Sequence, residues 1–332
     1  MLNGDTKIIV HIGHPTTPFK STMIYNPWFE KHGINAAVVP LGVTRENFTS
    51  AFPAICRFTN FHGALIAMPH KVPVVGLIDV VSTAVKVAGS CNVVRRRGDG
   101  RLIGDMFNGE GFVRGAARNG RSLSGKKVLV VGSDEVGSAI AASTAAAGAA
   151  EIALYDVSAS SMETLAERLG QNYPRLKVSF GSNDPSGFDV VVNATPLGMR
   201  AGDPMPVDIS RLSPSTYVSD AATKETTAFL AAARAGGCPR LRGTRQPAQP
   251  STPPVPRLPD CQQANTRRVS AVTDTAHAVR HIDRSRNPGR PGYSTDLHRQ
   301  EGMTRNAKLM TAATAVSALI RHNTTTREVA QP

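Results

Sequence analysis

The chain has 332 residues, 41% of them hydrophobic, and a formal net charge of +13 at pH 7. That length allows a substantial core with room for two domains, and the apolar share excludes a disordered chain. Residues 239–332 hold 15 of the 38 lysines and arginines but only 6 of the 25 acidic residues, so the body is nearly neutral and points to a small-molecule partner, not to nucleic acid.

Lys7 to Gly13 reads as a strand, broken by the glycine and Pro15. Met23 to His32 has Ile24, Trp28 and Phe29 at helical spacing, closed by Gly33. Ala36 to Leu41 is a second strand, and Thr44 can cap a helix carrying Phe48, Phe52 and Ile55 on one face. Ala64 to Met68 makes a third strand, followed by Pro69-His70-Lys71. Val72 to Ala88 is expected to be helical with a break near Pro73 and Gly76, and Cys91–Arg95 with Arg101–Gly104 forms a hairpin about Gly98-Asp99-Gly100. Arg95-Arg96-Arg97 is expected to be an exposed hairpin end.

Gly109 to Gly120 then reads as a linking helix. Lys126 to Gly132, Val136 to Ala147 and Ile152 to Asp156 follow as strand, helix and strand, the βαβ unit of a dinucleotide-binding fold. Asp156, 24 positions after Gly132, stands where that unit carries its ribose-binding acid. The glycine fingerprint is broken, because Asp134 and Glu135 stand between Gly132 and Gly137. Met162–Leu169 continues as helix, Leu176–Phe180, Asp189–Asn193 and Tyr217–Asp220 as strands, and Thr226–Ala235 as a helix stopped by Gly236-Gly237.

Beyond Cys238 only Tyr293 of the 17 aromatic residues remains, against ten of the 23 prolines. Such a segment cannot bury enough apolar surface to offset chain entropy, so residues 239 to about 300 are expected to be poorly ordered, with one helix-like stretch at Met303–Arg321. Its arginines supply charge without a stacking platform, which favours a solvated tail over a nucleic-acid arm. No window is long and apolar enough for a membrane span and no leading signal stands out, so a cytoplasmic location is expected. Cys56, Cys91, Cys238 and Cys261 form no CxxC and read as buried or idle thiols. His11, His14, His62 and His70 share no ligand spacing, so no metal is expected.

Six segments carry a family resemblance: HIGHPTTPFKSTMIYNPWF (His11 to Phe29), GALIAMPHK (Gly63 to Lys71), GSCNVVRR (Gly89 to Arg96), GDMFNGEGF (Gly104 to Phe112), GKKVLVVGS (Gly125 to Ser133) and NATPLGM (Asn193 to Met199). In order and spacing they resemble the shikimate dehydrogenase family over residues 7–238. The resemblance implies an α/β chain of two domains, an N-terminal substrate-binding domain at 1–107 and a Rossmann domain with a doubly wound parallel sheet at 108–238, followed by the atypical tail at 239–332. It implies reversible hydride transfer between NAD(P) and the ring alcohol of shikimate, quinate or a less hydroxylated cyclic acid, by a monomer or homodimer. An alternative is a catalytically impaired homologue that serves as a binding scaffold.

The resemblance also assigns roles. Lys71 falls on the catalytic lysine that takes the hydroxyl proton, and Asn108 on its aspartate partner, so the partner cannot ionise. The two serines that hold the substrate carboxylate correspond to Phe19 and Ser21, with Tyr25 after them. The polar pair before Pro-His-Lys is replaced by Leu65 and Ala67; Asn92 keeps an amide for ring hydroxyls, and a second asparagine falls on Met106. These exchanges remove hydrogen-bonding groups and favour a less hydroxylated acid. Gly132, Ser133, Asp134, Glu135, Val136 and Gly137 form the cofactor turn, where the two carboxylates disfavour the pyrophosphate. Asp156 favours NAD over NADP, with no arginine following before Arg168. The resemblance makes Asn193, Ala194, Thr195, Pro196, Gly198 and Met199 cofactor-binding, with Gly198 and Met199 beside the nicotinamide. The family's closing strand and glutamine-bearing helix are missing after Cys238, as expected if the coding sequence leaves its ancestral frame there.

Overall fold

The aliphatic runs pair into two separate sheets in the structure, a computed structural model that describes residues 2–198, 202–221 and 227–239. The first sheet holds β1 (Lys7–Gly13), β2 (Ala36–Gly42), β3 (Phe61–Ile66), β4 (Val80–Val81), β5 (Val93–Arg96) and β6 (Leu102–Asp105), in the order β2-β1-β3-β5-β6-β4. Strands β1, β2 and β3 run parallel; β5 and β6 add to them as an antiparallel hairpin. The second sheet is parallel throughout: β7 (Lys127–Val131), β8 (Glu151–Tyr155), β9 (Lys177–Phe180), β10 (Val190–Asn193) and β11 (Tyr217–Asp220), in the order β11-β10-β7-β8-β9. Its central strands Val190–Asn193 and Val128–Val131 are buried at every position, the unbroken aliphatic pattern required of a strand covered on both faces.

The helices are α1 (Ser21–Lys31), α2 (Phe48–Cys56), α3 (Thr83–Ala88), α4 (Glu110–Arg118), α5 (Glu135–Ala146), α6 (Ala159–Asn172) and α7 (Ala228–Ala235). The two units share apolar surface. Val87 of α3 packs in the core beneath the second sheet, and Ala139 of α5 packs in that of the first. A side chain at Gly109 would collide with the Ala139 backbone carbonyl, so the chain crosses between the sheets with its backbone directly against α5.

Three local expectations are corrected. The stretch 72–88 is no continuous helix: Pro73 opens a 3-10 turn at Pro73–Leu77, the β-branched pair Val80–Val81 pairs with β6, and Ser82 accepts from the Val85 N–H to start α3. Thr44 caps nothing, because α2 starts only at Phe48, after Asn47, without a side-chain cap. Arg96 is no idle hairpin end, since its guanidinium donates to the carbonyls of Cys56, Phe58 and Thr59 and ties β5 to the end of α2. Cys56, Cys91 and Cys238 are buried free thiols, and burial pushes the first two up to about 12. Cys261, the proline-rich tail and the helix expected at Met303–Arg321 lie outside the described residues. No helix among the described residues is long and apolar enough to cross a membrane.

Candidate active site

Strands β7, β8 and β10 end level, with Val131 opposite both Tyr155 and Asn193. The turns that follow, at Gly132, Asp156 and Ala194, therefore open on one edge of the sheet. Gly132 has φ +106, and an added Cβ would sit 3.0 Å from the Ala194 carbonyl carbon. A Cβ on Gly137 would collide with the Gly132 carbonyl. Both glycines are needed for close approach, as a dinucleotide turn requires.

The residue between them behaves differently from expectation. Asp134 is the N-cap of α5, and its Oδ1 accepts from the backbone N–H groups of Val136 (3.0 Å) and Gly137 (3.2 Å). These are donors that a helix N-terminus offers to a phosphate, so the chain's own carboxylate takes them first. Asp156 is held by the same turn: Oδ2 accepts from the Ser133 N–H at 2.6 Å and Oδ1 from the Ser158 N–H at 2.9 Å.

On the β10 side, buried Asn193 accepts from both the N–H and the hydroxyl of Thr195 and donates to the Leu197 carbonyl. Gly198 has φ +75 and packs against Phe229. Ala194 and Thr195 contact Gly132, Pro196 is exposed, and Met199 lies outside the described residues. The glycine turn, the acid after β8 and the turn after β10 thus fit a dinucleotide, while the Asp134 carboxylate occupies two of the donors at the head of α5.

Across the cleft, the turn after β3 carries Pro69-His70-Lys71. The His70 ring is fully buried, stacks on Phe48 at 4.0 Å and bonds the Val43 carbonyl through Nε2 at 2.7 Å. It anchors the turn that carries Lys71, and the Lys71 carbonyl accepts from the Cys91 N–H, beside Asn92. The Lys71 ammonium forms an ion pair with Glu135, with side chains only 16% and 18% exposed. Glu135 was expected to act only as a charge facing the pyrophosphate. Asn108 instead accepts from the Asn92 amide at 2.8 Å, and Asn92 accepts from the Phe107 N–H.

At the end of β1, His11 Nδ1 lies 2.6 Å from Ser21 Oγ, and its ring stacks on Phe19 at 3.8 Å. Burial, and then the nearby Lys71 charge, push the His11 imidazole down to about 4. Phe19 and Ala67 both close on Gly13, where a side chain would collide with them. The structure therefore gathers Phe19, Ser21 and Ala67 at the end of β1, and Lys71, Asn92 and Asn108 beside it.

Two expected contacts fall elsewhere. Tyr25 is 3% exposed and packs with Leu65, Phe29 and Val93 in the apolar core on one face of the first sheet. Met106 is 2% exposed and packs with Ile66, Val74 and Val94 in another core cluster. Both side chains lie in the core, and the buried Tyr25 hydroxyl has no hydrogen-bond partner there. His11 and His70 have structural roles that only their places signal, one inside a strand-end motif and the other before the lysine.

A cleft of about 350 Å3 opens beside the glycine turn, bordered by Ser133, Asp134, Glu135, Gly89, Ser161 and Arg168. Arg168, the first arginine after Asp156, lies in its wall.

A family model, the shikimate dehydrogenase substrate binding domain, matches residues 11–94. The shikimate dehydrogenase (NADP(+)) of Rubrobacter xylanophilus is 34% identical over 247 residues, covering 73% of this chain and 87% of that protein. Among solved structures, quinate dehydrogenase from Corynebacterium glutamicum in complex with NAD superposes with a TM-score of 0.63 at 26% identity, over 72% of this chain and 89% of that one. The shikimate 5-dehydrogenase of Listeria monocytogenes, in complex with shikimate and NAD, shares the fold with a TM-score of 0.67 at 24% identity, over 73% and 88%. The 34% identity to the Rubrobacter protein, over 87% of its length, establishes that the chain belongs to the shikimate dehydrogenase family.

Proposed function

We propose that the chain is an NAD(P)-linked dehydrogenase that interconverts a ring alcohol and a ketone on a cyclic hydroxy acid of the shikimate or quinate type. The observation that carries this reading is the position of Lys71, presented by a buried turn at the edge where the glycine turn of the second sheet meets the strand ends of the first. In this reading residues 1–107 bind the acid and 108–238 the dinucleotide.

As the neutral amine, Lys71 Nζ takes the hydroxyl proton in the oxidation direction and becomes the ammonium that pairs with Glu135; in reduction that ammonium returns the proton. The dinucleotide, when bound, supplies the hydride acceptor or donor. Ser21, fixed by neutral His11, offers its hydroxyl to the carboxylate of the acid. Asn92 and Asn108, locked to each other, present amide groups to ring hydroxyls. Phe19 and Ala67 give the pocket an apolar wall on the β1 side, which leaves the hydroxyls of a heavily hydroxylated ring short of partners. Less hydroxylated acids are therefore the preferred substrates.

NAD is the preferred dinucleotide on the strength of Asp156, whose carboxylate at the end of β8 repels a 2'-phosphate. The NADP(+) in the name of the Rubrobacter relative makes the comparison of the two dinucleotides part of the test. One observation favours a second reading, a scaffold that does not turn over: Asp134 fills the donors at the head of α5.

The experiment follows reduced nicotinamide absorbance with shikimate, quinate and simpler hydroxy-cyclohexane and hydroxy-cyclohexene carboxylates, using NAD and NADP in turn. Turnover is expected, higher with NAD, and Lys71→Met lowers it by about 10²-fold or more with unchanged far-UV dichroism. No signal with any acid and either dinucleotide rejects the dehydrogenase reading.

A further inference from the structure

We infer that Glu135 is the carboxylate partner of Lys71, supplied across the cleft by the dinucleotide-binding half of the chain; the inference rests on the dehydrogenase reading above. The residue next in line for that role cannot fill it. Asn108 carries no charge, and its side-chain oxygen is committed to the Asn92 amide at 2.8 Å. The Lys71 ammonium meets Glu135 Oε1 instead, in an ion pair whose side chains are each less than a fifth exposed. At that burial a pair is less screened than one on the surface.

A lysine side chain has four rotatable bonds and loses much rotamer freedom when it is fixed. The pair fixes it, and so directs Nζ toward the space between the two sheets. Glu135 is the first residue of α5, immediately after the Asp134 cap, so its place depends on the glycine turn. It is also the second carboxylate at the head of α5, where the phosphates of a dinucleotide would approach. Glu135 is thus a positioning residue acting through Lys71, and it opposes cofactor binding by its charge while aiding proton transfer by its contact.

These two effects have opposite signs on removal. In the full chain, Glu135→Gln is expected to tighten dinucleotide binding about two- to fivefold in calorimetry, the scale of one partly screened charge. The same variant is expected to lose about 10²-fold in kcat, the scale of a misplaced catalytic group, and Glu135→Asp, with the charge one methylene shorter, to fall between. Acetylation of Lys71 by an N-hydroxysuccinimide ester, mapped by mass spectrometry on the folded protein, is expected to accelerate several-fold in Glu135→Gln. Unchanged Lys71 acetylation overturns the inference, as does a kcat equal to or above that of the parent chain. Should the parent chain turn over none of the acids, the dehydrogenase reading fails by itself and the positioning role falls with it, while acetylation still reports the ion pair.

Discussion

Replacing Asp134 by glycine tests whether the chain blocks its own phosphate site. Asp134 accepts from the N–H groups of Val136 and Gly137, and a diphosphate reaching those donors must first displace it. Giving up a side-chain cap costs about 1 kcal/mol, and a like charge at a helix N-terminus adds about 0.3–1 kcal/mol. Removing both terms lowers the NAD dissociation constant by about 1.5 kcal/mol, roughly tenfold. The helix itself suffers little, because glycine is only a few tenths of a kcal/mol worse at an N-cap. Asp134→Asn separates the terms: it keeps an acceptor oxygen for the cap and drops the charge, so the gain should be about two- to fivefold. Titration calorimetry of the parent chain and both variants gives the three constants. An unchanged constant for Asp134→Gly would refute the reasoning, since it would mean that the phosphates do not meet the head of α5.

Gly137→Ala places a methyl against the Gly132 carbonyl, where backbone meets backbone, and should cost about 2–4 kcal/mol, seen as a lowered thermal midpoint; a midpoint within experimental error of the parent would show that the turn can relax. His11 titrates at about 4 in the folded chain against its ordinary value of 6.5. The unfolded chain binds the proton first as pH falls, so stability should decline between pH 6.5 and 4 by at most about 3 kcal/mol, and level off below. His11→Gln should flatten that part of a urea-denaturation series, and an unchanged slope would assign it to other groups.

The elements were legible where one physical signal dominated. Unbroken aliphatic runs identified Val128–Val131 and Val190–Val192, because a parallel strand buried on both faces carries apolar side chains on both. Glycine in the hairpin loop marked the join of β5 and β6. Val72 to Ala88 failed because an apolar run reads alike as helix or strand, and the pairing of Val80 with Ile103 decided it. The Asp134 cap has a sequence signal too, an acid immediately before a helix, beside its missing glycine and its charge.

The site divides along the same line. Local chemistry alone determined the glycine turn, the acid at the end of the next strand and the lysine after Pro-His, since each depends on a few adjacent residues. Tertiary structure decided their partners. Lys71 and Glu135 are 64 residues apart and meet only because the two sheets bring their strand ends to one edge. Asn92 and Asn108 meet through the hairpin that returns β6 beside β5. Tyr25 joined the core with Ser21 and Phe29 on one face of α1, whereas only the packing about the first sheet placed Met106 there.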